Sequence, residues 1–419
     1  MGTDADTRDL VSAREATDTS VPGIVALFSA GKPLLTAIPL TKGTAVLGRD
    51  EALGITDDKV SRQHASVSLS RGTWTITDHD SRNGTFANGA KVTGTTALGG
   101  PRLVRLAYTL YMIVDDVRPY LDGKVTVAND CVIGPSFAAV LERVRRAAGD
   151  SVLLTGESGV GKELAARELH AVSGGPFVSV NAATIPEGLA ERLLFGSVRG
   201  AFSGATDAEG YIAAANGGLL FLDEIGELEA AVQAKLLRVL EQREVVPLGA
   251  ARGQRVTTQF CFATFRNLRE AMATNEFRAD LFYRIANTEI RLPALRERRE
   301  EIPWLIAHEL GTSRTAHARL VEACMLREWP GNVRELRAAI RSIARDKPTG
   351  ELRAEDLDDV VGTRAAAPVA PARQPTSVTR EQLEAALAEH RGNRSAVARA
   401  LGLHRSQLYR LLEQYSLDG

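Results

Sequence analysis

The spacing of hydrophobic positions divides the chain into regions of different structure. Between about Gly23 and Asp115, short apolar runs alternate with turns rich in Gly, Asp, Asn and Ser, which is typical of the strands of a β-sandwich. The middle of the chain alternates apolar strand-like runs, such as 219–222, with helix-forming segments, which indicates an α/β fold. Near the C-terminus three helix-like segments follow, of which the first is 381–389. The sequence therefore predicts a multidomain protein.

Composition sets the bounds on this organisation. A chain of 419 residues has room for about three domains, and its net charge of −1 is close to neutral. No apolar run is long enough to cross a membrane, and three scattered cysteines show neither metal nor disulfide spacing. We expect a soluble protein of the reducing cytoplasm with no membrane partner, a disordered tail over 1–21 and an extended Ala/Pro linker over 363–377.

A strand, a glycine-rich loop and a helix follow one another from Ser151 to Leu169. This order directs backbone N–H groups at a helix N-terminus, where the charge of a triphosphate is stabilised. Lys162 would reach the β and γ phosphates of ATP, while Glu163 replaces the Ser or Thr that commonly binds Mg²⁺ at that position. The predicted ATP-binding residues are Gly156, Glu157, Ser158, Gly159, Val160, Gly161, Lys162 and Glu163.

Two carboxylates, Asp223 and Glu224, end the buried strand 219–222. Ligands of open α/β sheets lie at the C-terminal ends of strands, so Asp223 is predicted to hold Mg²⁺ and Glu224 to orient or deprotonate the attacking water. The alternative is a solvated acidic turn after a core strand.

A small-residue loop between these two motifs presents one aromatic residue. It consists of Gly200, Ala201, Phe202, Ser203, Gly204 and Ala205. A flexible loop tip would offer Phe202 to a partner, whereas the alternative is a glycine-rich turn whose Phe belongs to the core.

From about Val132 to Arg345 the chain resembles the AAA+ ATPases that activate sigma-54 RNA polymerase, the bacterial enhancer-binding proteins. The motifs occur in the family's order: GESGVGKE, LFGSVRGAFSGA, LFLDEIGEL, AKLLRVLEQRE, FRADLFYRI, RLPALRERREEI and WPGNVREL. The resemblance implies a P-loop AAA+ domain over 130–300, a helical lid over 301–362, and a homohexamer that hydrolyses ATP between subunits. It also implies that the loop 200–205 contacts sigma-54, and that Glu after the P-loop lysine is normal for this family.

The same resemblance assigns roles to further residues. Asn181 matches the asparagine that restrains the catalytic glutamate, Arg278 and Arg284 match arginine fingers that enter the neighbouring subunit's site, and Arg334 matches a lid arginine that contacts nucleotide. Outside these motifs, each arginine would be interpreted as a surface or ion-pairing residue.

Two positions depart from the family pattern. Ser203 replaces Thr and keeps the hydroxyl, so we expect little effect. Phe265 replaces an Asn that would sense the γ-phosphate, which puts hydrolysis, or its coupling to movement, in doubt.

The N-terminal region, 22–116, resembles the forkhead-associated (FHA) domain in the motifs LGR, SRQH and SRNGTFANG. The resemblance implies phosphothreonine binding, with Arg49, Ser61 and Arg62 on the phosphate and Asn83 on the peptide backbone. His64 is predicted to be a packed, hydrogen-bonded core residue. The alternative is a set of turns in an unrelated sandwich.

The segment 378–419 resembles a Fis-type helix-turn-helix, an all-α DNA-binding domain. Between His390 and Leu412 there are five arginines and no acidic residue, so the local charge is basic, and the resemblance implies binding to double-stranded DNA at an upstream enhancer site. The residues expected to face DNA are His404, Arg405, Ser406 and Arg410. The alternative is a solvated helical bundle.

These features together predict an ATP-dependent activator of sigma-54 RNA polymerase that is regulated by a phosphothreonine protein. A second hypothesis, favoured by Phe265, is a DNA-bound phosphopeptide-responsive regulator with a weak or non-hydrolytic ATPase domain. A third, a pure phosphopeptide adaptor, is disfavoured by the phosphate loop and the arginine fingers.

Overall fold

The computed structural model describes residues 20–128, 130–186, 188–201, 205–363 and 380–389, with Val397 and Tyr415. The chain forms two compact units that divide between Arg364 and Ala365. Several expectations lie outside the described residues: the tail before residue 20, most of the linker, Phe202, Ser203 and Gly204 of the small-residue loop, and the DNA-facing residues His404, Arg405, Ser406 and Arg410.

The first unit begins with the predicted β-sandwich. One sheet has the order β2-β1-β10-β9-β6-β7 and the other β3-β4-β5-β8, with every pairing antiparallel. The strands are β1 Gly23–Ser29, β2 Lys32–Pro39, β3 Thr44–Leu47, β4 Ala65–Ser70, β5 Thr73–Asp78, β6 Thr85–Ala87, β7 Ala90–Lys91, β8 Thr95–Ala97, β9 Leu103–Leu106 and β10 Thr109–Val114. Trp74, Ile76 and Tyr111 lie in the core between the sheets.

A parallel α/β layer follows the connecting elements α1 (Arg118–Leu121), β11 (Thr126–Ala128) and β12 (Cys131–Ile133). Its five-stranded sheet has the order β14-β15-β18-β13-β19. The elements are α2 Pro135–Arg146, β13 Val152–Thr155, α3 Lys162–Ser173, β14 Phe177–Asn181, α4 Ala190–Phe195, α5 Tyr211–Ala214, β15 Leu219–Asp223, α6 Ala230–Gln242, β16 Glu244–Val245, β17 Gln254–Arg255, β18 Gln259–Thr264, α7 Leu268–Ala273, α8 Ala279–Ile285 and β19 Thr288–Arg291. The strands β13 and β15 are almost wholly buried because helices cover both faces of the sheet.

The helical lid completes the first unit. It consists of α9 Ile302–Leu310, β20 Arg314–Ala316, α10 Ala318–Leu326, α11 Asn332–Asp346 and β21 Gly350–Leu352. In α11 the apolar residues Leu336, Ile340 and Ile343 recur on one face and are buried, while arginines fill the opposite face.

Besides its own core, the sandwich packs in a second hydrophobic cluster with the lid, a contact that the sequence did not predict. Every residue of β1 is buried, because one face packs inside the sandwich and the other, with Val25 and Leu27, packs in a cluster with Leu305 and Ile306 of α9.

The second unit is described over α12, Arg380–Glu389, which confirms the helix predicted at 381–389. Among the described residues, no helix is long and apolar enough to cross a membrane.

Candidate functional site

The phosphate loop lies between β13 and α3, as the sequence predicts. Lys162 is 7% exposed, and its Nζ donates to the carbonyl oxygens of Gly156 at 3.1 Å and Glu157 at 3.4 Å. Gly159 has a φ of 74°, and a Cβ there would lie 2.3 Å from the Gly331 carbonyl oxygen of the lid. Only glycine lets the phosphate loop and the lid approach this closely.

The loop opens into a cavity of about 550 Å³ that both acidic residues line. Glu224 Oε1 lies 3.6 Å from Lys162 Nζ, and its Oε2 accepts the Phe265 N–H at 3.2 Å. Glu224 has a left-handed backbone, with φ 55° and ψ 50°, a conformation that costs energy for a non-glycine residue and recurs at functional sites. Burial raises the pKa of Glu224, and the nearby Lys162 ammonium only partly offsets this.

Asp223 offers a carboxylate oxygen toward the cavity. Its Oδ1 accepts the Glu224 N–H at 3.1 Å, while Oδ2 has no hydrogen-bond donor among the described residues. Glu163, in contrast, pairs with Arg167 at 2.7 Å. One carboxylate together with phosphate and water oxygens is a donor set that fits Mg²⁺.

Asn181 lies beside these carboxylates, because β14 and β15 pair in a register that places Asn181 opposite Asp223. Its Oδ1 accepts the Ala183 N–H at 2.9 Å. Among the described contacts Glu224 is held by Phe265 and Lys162 and not by Asn181, so the restraining role of Asn181 stays a prediction.

The lid contacts the phosphate loop through more residues than the sequence predicted. Arg334 Nη1 donates to Ser158 Oγ at 3.2 Å, and the fully buried Asn332 donates from Nδ2 to the Ser158 carbonyl oxygen at 3.0 Å. Arg296, which precedes the lid helices, forms a bidentate pair with Glu157 at 2.7 and 2.8 Å, and Asn332 Nδ2 of the lid donates to Glu157 Oε2 at 3.1 Å. The Glu157 side chain therefore connects the loop to the lid and leaves only its backbone for nucleotide. Asn332 lies inside the WPGN motif, so the sequence marked the segment as functional but did not predict the contact of Asn332 with the phosphate loop.

Arg278 and Arg284 do not line the cavity of their own chain. Arg278 pairs with Asp280 at 2.7 Å, Arg284 donates to the Leu240 carbonyl oxygen at 3.1 Å, and both are exposed. Both therefore lie on a surface that a neighbouring subunit could cover.

Phe265 follows β18 and is 56% exposed. Its ring centre lies 5.9 Å from Lys162 Nζ, within the range of a cation–π contact. The side chain that departs from the family pattern thus lies beside the phosphate-binding lysine.

A second candidate site lies on the sandwich. The Arg49 N–H donates to the Ser61 carbonyl oxygen at 3.0 Å, which joins the two loops that carry the predicted phosphate-binding residues. Arg49, Ser61, Arg62 and Asn83 are all exposed, and neither Arg49 nor Arg62 has a carboxylate partner among the described residues. Two cations without partners on adjacent loops suit a phosphate group.

Gly48 and His64 hold these loops together. A Cβ on Gly48 would lie 2.0 Å from the Arg62 carbonyl oxygen, so the loops touch at backbone distance. The fully buried His64 accepts the Ser61 N–H at Nδ1, at 3.1 Å, and its Nε2 lies 3.3 Å from the Gly84 carbonyl oxygen. The prediction that His64 is a packed, hydrogen-bonded core residue is confirmed.

The small-residue loop is described at its ends only. Gly200 has a φ of 86°, Ala201 contacts Gly249, and Ala205 is buried. The contact made by Phe202 stays a prediction.

Family models match four segments in order: an FHA domain over 45–100, a sigma-54 interaction domain over 133–291, an AAA+ ATPase lid domain over 296–374, and a Fis-family bacterial regulatory domain over 376–415.

Curated relatives agree with the family models. The transcriptional regulatory protein GlrR of Escherichia coli K12 is 38% identical over 329 residues, which are 74% of this chain and 73% of GlrR. The nitric oxide reductase transcription regulator NorR1 of Cupriavidus necator is 40% identical over 334 residues, which are 70% of this chain and 65% of NorR1. Among solved structures, NtrX from Brucella abortus in complex with ATP is 31% identical with a TM-score of 0.49, and the match covers 66% of this chain and 67% of that one.

The family models and the curated relatives show that the chain belongs to the sigma-54-dependent transcriptional activators, with an FHA β-sandwich, an AAA+ α/β domain with its lid, and a Fis-type helix-turn-helix domain.

Proposed function

We propose that this protein hydrolyses ATP to remodel sigma-54 RNA polymerase at promoters, and that phosphothreonine binding to its FHA domain regulates this activity. The observation that carries the proposal is that Lys162, Asp223 and Glu224 line one cavity together with Arg334 of the lid. Binding of ATP there would engage the α/β domain and the lid at once.

Each residue has a separate task in hydrolysis. Lys162 neutralises charge on the β and γ phosphates, and Glu224 orients the attacking water and takes its proton. Mg²⁺ held by Asp223 would supply charge neutralisation at the phosphates. Arg334 senses nucleotide from the lid, while Asn181 restrains Glu224 before the target is engaged.

The proposal needs a second subunit. Arg278 and Arg284 are exposed at the α8 surface, outside the cavity of their own chain, which supports a role as arginine fingers for a neighbour's nucleotide in a homohexamer. Such arginines contribute on the order of 10³ to 10⁵ in rate.

The remaining segments connect the ATPase to its partners. The loop 200–205 is proposed to contact sigma-54 through Phe202, and the domain after residue 378 to hold the protein at double-stranded DNA upstream of the promoter. Arg49, Ser61, Arg62 and Asn83 are proposed to bind a phosphothreonine protein, which supplies the regulatory signal.

Glu224→Gln tests the catalytic assignment. This variant keeps the size of the side chain and removes the base, so ATP binding should persist while turnover falls by at least about 100-fold. Because burial raises the pKa of Glu224, wild-type turnover should begin to fall with decreasing pH earlier than for an exposed glutamate. Ser179→Ala, on the exposed side of β14, is the matched control and should leave turnover unchanged.

Two outcomes separate the competing functions. Full ATP turnover in Glu224→Gln would contradict the assignment of Glu224 as the catalytic base. Wild-type protein that binds ATP and DNA but neither hydrolyses ATP nor opens sigma-54 promoters would instead support the phosphopeptide-responsive regulator, which the position of Phe265 beside Lys162 favours.

A further inference from the structure

A cleft of about 680 Å³ lies between the sandwich and the lid. Its lining includes Asn83, which donates from Nδ2 to the Lys59 carbonyl oxygen at 2.7 Å, together with His317 and Arg319 of the lid. Asn83 is also the residue proposed to grip the backbone of a phosphothreonine peptide. A peptide bound at Asn83 therefore has a formed channel beside it, one wall of which belongs to the lid.

The cleft has walls that suit a peptide. Tyr108 of the sandwich is 41% exposed and meets the His317 ring edge-on, with ring centres 5.0 Å apart. Ala323 and Leu326 of α10 add an apolar surface. Aromatic and aliphatic walls of this kind accept extended peptide backbone and small side chains.

The charges that line the cleft are predominantly positive. Lys59 and Arg319 are more than half exposed, with only surface partners: Asp58 at 3.3 Å from Lys59, and Glu355 at 3.6 Å from Arg319. The acidic lining residue, Glu322, is already neutralised by Arg105 at 2.6 Å. An acidic side chain on the peptide would therefore meet two cations whose carboxylate partners, Asp58 and Glu355, are exposed and do not line the cleft.

His317 adds an uncharged donor to this set. Its Nδ1 accepts the Arg319 N–H at 3.1 Å, which places the ring proton on Nε2. That N–H can donate to a carboxylate or to a peptide carbonyl.

We propose that this cleft extends the phosphothreonine site onto the lid, so that the protein selects phosphothreonine peptides with an acidic residue beside the phosphothreonine, which Arg319 binds. The inference rests on the phosphothreonine binding proposed above. It adds a specificity-determining surface that the sandwich alone does not contain, and it brings the bound peptide into contact with α10.

The test measures selectivity on the full chain. Short fluorescein-labelled peptides with phosphothreonine in an alanine background, each with one glutamate at a different neighbouring position, are titrated by fluorescence anisotropy. At one side of the phosphothreonine, glutamate should improve affinity over the all-alanine peptide by roughly three- to fivefold, the strength of an exposed ion pair.

Arg319→Glu should abolish or invert this ratio, because the peptide carboxylate would then face a carboxylate. Arg345→Glu is the matched control: Arg345 is an exposed lid arginine outside the cleft, and its replacement should leave the ratio unchanged. Arg49→Ala should weaken every phosphopeptide alike.

The outcomes distinguish the two proposals. The proposed role of the cleft is overturned if the glutamate preference persists in Arg319→Glu. It is also overturned if the wild type binds phosphopeptides without a glutamate preference. Either result leaves phosphothreonine recognition in place. If no phosphopeptide binds more tightly than its unphosphorylated form, the result contradicts phosphothreonine recognition itself and, with it, the proposed role of the cleft.

Discussion

The side chain and the backbone of Phe265 have separate roles beside the nucleotide site. Its N–H donates to Glu224 Oε2 at 3.2 Å, a bond that any residue except proline could make, while its ring lies near Lys162. Lys162 Nζ lies 5.9 Å from the ring centre, so the lysine and this side chain are neighbours. A cation–π contact at an exposed position contributes only about 0.5–1 kcal/mol, so loss of the ring should change ATP affinity by less than about fivefold.

Phe265→Asn should therefore raise ATP turnover or promoter opening with little change in ATP affinity, because the backbone bond to Glu224 stays and an amide becomes available to the γ-phosphate. Phe265→Leu is the matched control, since it removes the aromatic ring without adding an amide, and it should not raise turnover. Steady-state ATPase assays with a nucleotide titration measure both quantities. Loss of activity in the asparagine variant alone would show that the ring has a packing role of its own.

His64 is expected to make the stability of the sandwich depend on pH. Burial lowers the pKa of His64 below its ordinary 6.5, against the opposing effects of the Gly84 carbonyl and Asp78. As the pH falls through about 6.5, His64 becomes protonated in the unfolded chain but stays neutral in the folded sandwich. The free energy of unfolding therefore decreases until the pH falls below the lowered pKa of His64 in the folded protein. Protonation also removes the Nδ1 acceptor of the Ser61 N–H.

His64 thus lowers the unfolding temperature at pH 5 relative to pH 7, so we expect the change from pH 7 to pH 5 to be less unfavourable in His64→Gln than in the wild type, even if the variant is less stable at pH 7. His79→Gln, which replaces an exposed histidine of the same sandwich, should leave the slope unchanged. Stability is the appropriate readout because the second pKa of a phosphothreonine, about 6, would add its own pH dependence to any binding measurement. An identical slope in His64→Gln would contradict the assignment.

At the level of elements, the proposed phosphothreonine site depends on contact between two loops of the sandwich. Gly48→Ala would place a Cβ 2.0 Å from the Arg62 carbonyl oxygen and push apart the loops that carry Arg49 and Ser61. Phosphopeptide affinity should fall at least tenfold while ATP binding is kept, although every phosphate-binding side chain remains. Gly99→Ala is the control, because a Cβ there meets no atom within 4 Å. Calorimetry with one phosphopeptide and with ATP measures both effects.

The sequence predicted most elements that carry the sites, because their patterns are local. The phosphate loop needs a strand, glycines with special backbone angles and a helix in succession, and the structure has β13, the loop and α3 in that order. The predicted limits of the sandwich, Gly23 and Asp115, agree with β1 and β10 because turn residues mark both ends. Asn332 was missed as a contact of the phosphate loop because its partners are 174 and 175 positions away in the chain.

At the scale of the whole molecule, the docking of the sandwich on the lid could not be predicted in the same way. The unbroken apolar sequence of β1 indicates burial on both faces, but such a pattern does not identify what covers the second face. Arg105 is a clearer indication of a buried contact, because it is a charged residue between the apolar Val104 and Leu106. Its partner, Glu322, lies 217 positions further along the chain. Pairings over such separations depend on tertiary packing and leave no local pattern.

This interface gives the last prediction. Arg105 and Glu322 have side chains 8% and 6% exposed, and the Arg105 guanidinium also lies 4.0 Å above the Phe86 ring. Glu322→Ala would leave Arg105 buried without its carboxylate, which typically lowers the free energy of unfolding by about 3–5 kcal/mol. The double variant Arg105→Met with Glu322→Leu replaces both charges by apolar groups and should recover most of that loss. Asp58→Ala, which removes an exposed ion pair with Lys59, is the control and should change stability by less than about 1 kcal/mol.

Intrinsic fluorescence in urea can follow this interface, because Trp74 lies in the sandwich and the other two tryptophans, Trp304 and Trp329, lie in the lid. If the two domains share a core in solution, variants that keep only Trp74 or only the lid tryptophans should unfold at the same urea concentration, and Glu322→Ala should lower both midpoints together. Separate midpoints, with Glu322→Ala affecting neither, would mean that the sandwich is not docked on the lid in solution. In that case the cleft between them would not be a lasting feature of the protein, and peptide selection by Arg319 would fail for the same reason.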